Sequence, residues 1–237
     1  MIKLLPKRRI TSVLGLSLDA GRLDGVVVRR TNGSVIVLKA FSAALTLDPL
    51  TNEPELLGQE IRNILDKAGI RERRCAVCVP LSWALTHQTK VPDLPEADLQ
   101  DLLSLEAERG FPYGPESLLI SKTIAKVPGG EQYVTQIAVQ RDHVVRLERA
   151  LKAARLKPVT MSLGLSALQP PELPEGVLAL LPLETSVALQ VSYGGGVIAL
   201  RSLEGAVEAE AGLKQIHGDA VAREIRITLG QMPAELR

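Results

Sequence analysis

Cys75 and Cys78 stand three residues apart in Cys75-Ala76-Val77-Cys78, the spacing of a thiol pair that binds metal or exchanges disulfides. The run around them, Arg74 to Pro80, reads as a short buried strand. On a strand, residues three apart point to opposite faces, so these thiols cannot share a metal, and core packing is the reading that follows. No second cysteine pair exists. His87, His143 and His217 are isolated in sequence and fall in different units. No Ser–His–Asp order or carboxylate pair accompanies them, so no catalytic residue and no metal site is expected. Gly194-Gly195-Gly196 has the composition of a phosphate cradle, yet it joins two strands without opening a helix, which favours a hairpin turn.

The elements that must position these residues follow from the apolar pattern. Val13 to Arg30 is apolar and β-branched, broken at Ala20, Gly21 and Arg22, and predicts strand, tight turn and strand. Thr31-Asn32-Gly33-Ser34 is a hairpin signal, and Val35 to Ala40 completes an antiparallel meander. Glu53 to Ala68 sets Leu57, Ile61, Ile64, Leu65 and Ala68 at helical spacing, with Gly69 where a helix-ending glycine belongs. After the Arg74 strand, Ala84 to Val91 is extended. Pro95 opens a helix through Arg109, with Leu99, Leu102, Leu103 and Ala107 on one face and Gly110 as its stop. Leu118 to Val127 and Gln132 to Val139 read as strands about a Pro128-Gly129-Gly130 turn. Asp142 is expected to cap a helix through Ala154, and Val159 to Leu163 to be the last strand of this unit.

Beyond the breaker cluster Gln169 to Pro174 the meander pattern returns: Gly176 to Leu183, Val187 to Ser192 and Val197 to Leu203, then a helix from Asp219 to Leu229. The organisation expected is a first subdomain over 11–81 and 164–175, an inserted α+β subdomain over 82–163, and a partial second subdomain over 176–237. No strand pattern follows the last helix, so the second half is expected to be truncated relative to the first.

Composition bounds the function. The 237 residues are 46% hydrophobic and 23% charged, with aromatics at 3%, so an aliphatic core is expected. The formal net charge of +1 gives no bulk electrostatic reason to expect nucleic acid or an anionic membrane as the main partner. No apolar run approaches the roughly 18–20 residues of a membrane span, and no apolar stretch follows the basic start as a secretory signal requires, so a cytoplasmic location is expected.

Duplicated halves that each open with three antiparallel strands resemble the actin-like, ribonuclease H-like α/β fold. An insert after the first helix–strand unit sharpens this towards the FtsA and PilM group. Several segments are similar to the PilM family of type IV pilus assembly proteins: Val13-Leu14-Gly15-Leu16-Ser17-Leu18-Asp19, Asp66-Lys67-Ala68-Gly69-Ile70, Ala76-Val77-Cys78-Val79-Pro80 with Lys90-Val91-Pro92, Leu105 to Tyr113, and Ala154-Arg155-Leu156-Lys157-Pro158. The resemblance implies a scaffold of the inner-membrane platform. Such a scaffold binds the short cytoplasmic peptide of a PilN-like membrane partner, through the insert and the adjoining first subdomain. Contact with a pilus or secretion ATPase is also implied, with no nucleic acid and membrane association only through partners. The cytoplasmic domain of a GspL-type type II secretion protein is one alternative, and an actin-like ATPase another.

The resemblance also implies where nucleotide would sit, and there the residues are wrong. Aligned without gaps, the aspartate of the first phosphate hairpin is Ser17, its second glycine is Asp19, and the lysine beyond the turn is Asp24. A shifted register would instead use Asp19 and Gly21 as the aspartate–x–glycine pair. In the second hairpin, Leu181 to Ser186, Pro182 and Glu184 replace aspartate and glycine. Proline lacks a backbone donor and a carboxylate repels phosphate, so no cofactor is expected, ATP with magnesium being the alternative. Leu4-Leu5-Pro6, followed by Lys7, Arg8 and Arg9, resembles the partner's own docking peptide. It reads either as a leader or as a mimic that docks in the same groove.

Overall fold

The computed structural model describes residues 12–19, 21–127, 131–165, 176–210 and 213–233, and these divide into two units. The first is built on a five-stranded sheet, order β3-β2-β1-β4-β8. Its meander is β1 (Ser12–Asp19), β2 (Arg22–Thr31) and β3 (Ser34–Ala44). Asn32 and Gly33, at φ 50° and 86°, make the turn that the sequence signals. β4 (Arg74–Cys78) and β8 (Lys157–Ser162) add in parallel to β1. A parallel neighbour needs a crossover, and two helices, α1 (Pro54–Lys67) and α3 (Arg141–Ala153), provide it. Alternation along β1 buries Leu14, Leu16 and Leu18, while α1 buries Leu57, Ile61 and Leu65 and α3 buries Leu147, Ala150 and Leu151. Gly58 lets the helices meet, because a Cβ there would press on the Ala150 carbonyl and Ala153 Cβ.

The pairing of β8 corrects the expected insert of 82–163. A strand from Val159 to Leu163 was expected to close the insert; instead Arg74 to Cys78 pair with Lys157 to Ser162, placing it in the first sheet. Among the described residues the first unit therefore runs to Cys78 and resumes over Arg146–Ser162, and residues 163–165 belong to the second. The physical reason is that β4 would otherwise be an unpaired parallel edge, which sequence alternation alone does not reveal. Two smaller expectations also shift. Asp142 lies inside the first turn of α3 instead of capping it, and Gly110 is the last residue of its helix instead of the stop beyond it.

The second unit holds a three-stranded sheet, β5-β7-β6, from β5 (Ala84–Val91), β6 (Leu118–Lys126) and β7 (Gln132–Gln140), with α2 (Glu96–Gly110) on it. Leu99 and Leu103 of α2 join Val91 and Val134 in one cluster, and Ala107 joins Phe111, Leu118 and Ala138 in another. The returning meander is β9 (Val177–Pro182), β10 (Ser186–Tyr193) and β11 (Gly196–Glu204), order β11-β10-β9. A hairpin that the sequence reading missed follows, β12 (Val207–Glu210) and β13 (Leu213–Ile216), and then α4 (Gly218–Gln231). β10 is buried along almost its whole length, and its cluster includes Tyr133 and Ala125 of the insert strands with Val221 and Met232 from the end of the described chain.

Candidate functional site

The first hairpin brings Ser17, Asp19 and Asp24 to one end of the first sheet. Ser17 is opposite Asp24, and Asp19 opposite Arg22. Asp24 accepts from Arg22 Nε at 3.3 Å and from the Ser42 hydroxyl, and Arg22 Nε also donates to Ser42 Oγ at 2.8 Å. The cation at this hairpin is thus held by a neighbouring carboxylate. Gly21, at φ 75°, supplies the left-handed turn.

The second hairpin belongs to the other unit. Pro182 ends β9 opposite Val187, an edge position where a missing N–H is tolerated. The Leu183 N–H donates to the Ser186 carbonyl at 2.8 Å. Glu184, in the turn, pairs with Lys214 at 2.6 Å. Ser17 and Asp19 thus stand on β1, Asp24 on β2 and Pro182 at the end of β9, with Glu184 in the turn that follows it.

The remaining sequence candidates have structural partners. Cys75 is buried and Cys78 half-buried, both free, and burial pushes the Cys75 thiol up to about 11 and also raises Cys78. His87 lies 3.3 Å from Glu106, which also accepts from the Thr89 hydroxyl at 3.2 Å; the His87 hydrogen bond first, then Thr89, lowers the Glu106 carboxyl. His143 packs edge-on to Trp83 at 5.3 Å, and His217 is 3.1 Å from Glu208. Gly194 and Gly196 are needed for close approach: a Cβ at either would overlap the backbone of β6 at Lys126 or at Ile124 and Ala125. That contact, with Val197 N–H donating to Thr123 Oγ1 at 3.1 Å, joins the returning meander to the insert. Among the described residues no cluster of His, Cys, Asp and Glu fits a metal, and no helix is long and apolar enough to cross a membrane. Leu4, Leu5 and Pro6 lie outside the described residues.

A concavity that the sequence reading did not locate lies within the insert, between α2 and β6. It has a volume of about 410 Å³ and is lined by Leu103, Ala107, Pro115 and Ile120, with Ser104 and Lys122 among its polar residues. At its base is Gln136, 4% exposed. Its Nε2 donates to the Leu103 carbonyl at 3.0 Å, whereas its Oε1 is buried with no hydrogen-bond partner among the described residues. Lys122 Nζ bonds Glu96 Oε1 at 2.7 Å, tying β6 to the start of α2 and holding the Glu96 carboxyl low. The lining of the concavity is mixed, four apolar residues beside six polar or charged ones.

Duplicated meanders, a helical crossover in the first and an inserted α+β sheet after β4 define the actin-like fold. Searches by sequence match neither a family model nor a curated protein. Among solved structures, the chain is similar to one from the PilM–PilN type IV pilus biogenesis complex, at TM-score 0.66 and 24% identity over 92% of this chain and 70% of that one. It is also similar to the cytoplasmic domain of EpsL, an inner-membrane component of the type II secretion system of Vibrio cholerae, at TM-score 0.57 and 15% identity over 81% of this chain and 71% of that one.

Proposed function

We propose that this chain is a non-enzymatic scaffold on the cytoplasmic side of an inner-membrane pilus assembly platform, binding a short peptide of a PilN-like membrane partner. The likeness to the PilM–PilN structure over 92% of the chain is the observation that carries the reading. The groove between α2 and β6 supports a peptide-binding role: Leu103, Ala107, Pro115 and Ile120 would meet a leucine pair, and polar residues of its lining, Ser104 among them, would meet the peptide backbone. Burying two leucines contributes about 3–6 kcal/mol before the ordering cost of the peptide. The eroded turns support the absence of ATP chemistry. Asp24 occupies Arg22, Pro182 has no N–H, and Glu184 places a carboxylate where a phosphate would need donors.

The test is anisotropy of a labelled partner peptide containing Leu-Leu-Pro. Ser104→Trp, on the exposed side of α2, is expected to fill the groove and weaken binding at least tenfold with Tm unchanged. Undiminished binding would reject the groove. The likeness to the EpsL domain supports a second reading, a secretion-system scaffold that recruits a cytoplasmic ATPase. Retention of such an ATPase in the absence of any Leu-Leu-Pro peptide binding would favour it.

A further inference from the structure

A second concavity lies in the first unit, at the end of the sheet where β1, β4 and β8 begin, opposite the turn that carries Asp19. Its volume is about 740 Å³. Three separate stretches line it with cations: Arg29 and Lys39 from the β2–β3 hairpin, Arg71, Arg73 and Arg74 from the approach to β4, and Arg155 and Lys157 from the α3–β8 junction. The one carboxylate in its wall, Glu72, is engaged locally by the Ser12 hydroxyl and by the Arg73 and Arg74 N–H groups at 3.0 and 3.1 Å. Among the described residues, none of the seven cations forms an ion pair within 4 Å, and the buried Arg73 Nη1 has no hydrogen-bond partner. A desolvated guanidinium N–H with no acceptor points to an anion that completes it.

The helix ends show that one of these cations is kept against backbone preference. α1 ends with Gly69 at φ 64°, its N–H on the Asp66 carbonyl, and with Ile70 N–H on Leu65. α3 ends in the same way, with Arg155 at φ 61° on Lys152 and Leu156 N–H on Leu151. Glycine suits that conformation and a branched Cα does not. The arginine side chain at this strained position lines the cleft.

Beside the cleft the β2–β3 hairpin is uncovered. Val35 and Val37 are 67% and 62% exposed, and Ile36 and Leu38 are 47% and 46% exposed. Successive strand residues face opposite sides, so the hairpin is apolar on both faces as well as along the sheet edge. A protein partner that adds a strand would cover the edge and one face. An apolar medium covers all three, and Leu38, lining the cleft, makes the apolar and cationic surfaces continuous.

We propose that this hairpin and cleft form a docking surface for an anionic lipid bilayer, with a phosphate-bearing headgroup in the cleft and Val35 to Leu38 in the interfacial layer. The surface is independent of the peptide-binding reading, since it lies in the first unit and needs no partner peptide. Co-sedimentation of the full chain with phosphatidylglycerol–phosphatidylcholine vesicles tests it, with pure phosphatidylcholine vesicles, inorganic phosphate and polyglutamate as parallel arms. Binding to the anionic vesicles and not to pure phosphatidylcholine vesicles or polyglutamate is expected, weakening with added salt and with competing inorganic phosphate. Each cation removed is expected to weaken it about fivefold. Arg155→Gly therefore should raise Tm while lowering binding, a combination that a purely structural role would not give. Arg71→Gln, at an exposed site, should lower binding with Tm unchanged. Val35→Ser with Val37→Ser should lower vesicle binding and leave any phosphate binding intact. The proposal is overturned by vesicle binding that these variants leave undiminished, by binding to polyglutamate without vesicles, or by a dimer that the valine variants break in the absence of vesicle binding.

Discussion

Gly58 sets the distance between α1 and α3, and its replacement shows how a single carbon propagates. A Cβ there meets the Ala150 carbonyl, Ala153 Cβ and Ala154 N, so backbone must yield. Overpacking of this kind costs about 1–3 kcal/mol, and a site opposed by backbone belongs at the upper end. Improved helix propensity returns about 1 kcal/mol. Gly58→Ala is therefore expected to lose about 2 kcal/mol, read from the urea midpoint. Glu60 and Glu72 make a second residue-scale case. Burial works to raise both, but hydrogen bonds outweigh it, from the Thr46 hydroxyl and the Thr46 and Leu47 N–H groups for Glu60 and from Ser12, Arg74 and Arg73 for Glu72. Their folded pKa values lie below the ordinary 4.5, so their contribution is present above 4.5 and lost as pH falls through the lowered values. Glu60→Gln with Glu72→Gln should flatten the acid limb of stability below pH 4.5 relative to the parent. The raised Cys75 thiol works in the opposite direction: unfolding releases its proton between 9.0 and about 11, so stability falls as pH rises through that window, and Cys75→Ala should remove that slope.

At the scale of elements, the turn from Gly194 to Gly196 is a joint between sheets. It lets β10 and β11 come against β6 so closely that the Lys126 N–H donates to the Gly194 carbonyl at 3.3 Å. Gly196→Val is expected to part β11 from β6, seen as lost hydrogen-exchange protection at Val197 N–H, whose acceptor is Thr123 Oγ1. Unchanged protection would mean that the turn is only a turn. The Leu4-Leu5-Pro6 segment belongs to the same scale. If it competes for the partner's groove, Leu4→Asp with Leu5→Asp raises the affinity of an added Leu-Leu-Pro peptide, because a tethered competitor acts at high effective concentration. Equal affinity in parent and variant would make the segment a leader without that role.

For the whole molecule, the proposed reading without nucleotide draws on residues in two different units, Ser17, Asp19 and Asp24 in one and Pro182 and Glu184 in the other. Calorimetric titration with ATP and magnesium is expected to give no binding heat, and a micromolar dissociation constant would restore the ATPase reading. Charge is likewise a molecular property here. A formal net charge of +1 averages over the chain, whereas seven cations and one locally engaged carboxylate line a single cleft.

Local chemistry made much of this protein legible from its residues alone. Asn32-Gly33 defined the hairpin, Gly69 the end of α1, and the apolar periods of α1 and α2 their buried faces, because turn geometry and amphipathic spacing act over a few residues. Arg71-Glu72-Arg73-Arg74, Arg29-Arg30 and Arg155-Leu156-Lys157 were equally visible, but only as separate short runs. What tertiary structure decided was which distant segments meet. It paired β8 with β4, which moved a strand out of the insert, and it closed the groove over Gln136. It also gathered three basic runs around one cleft and turned Gly194-Gly195-Gly196 from a turn into a joint. Each of these depends on strand pairing or close approach between residues dozens to more than a hundred positions apart, and no local pattern encodes the partner.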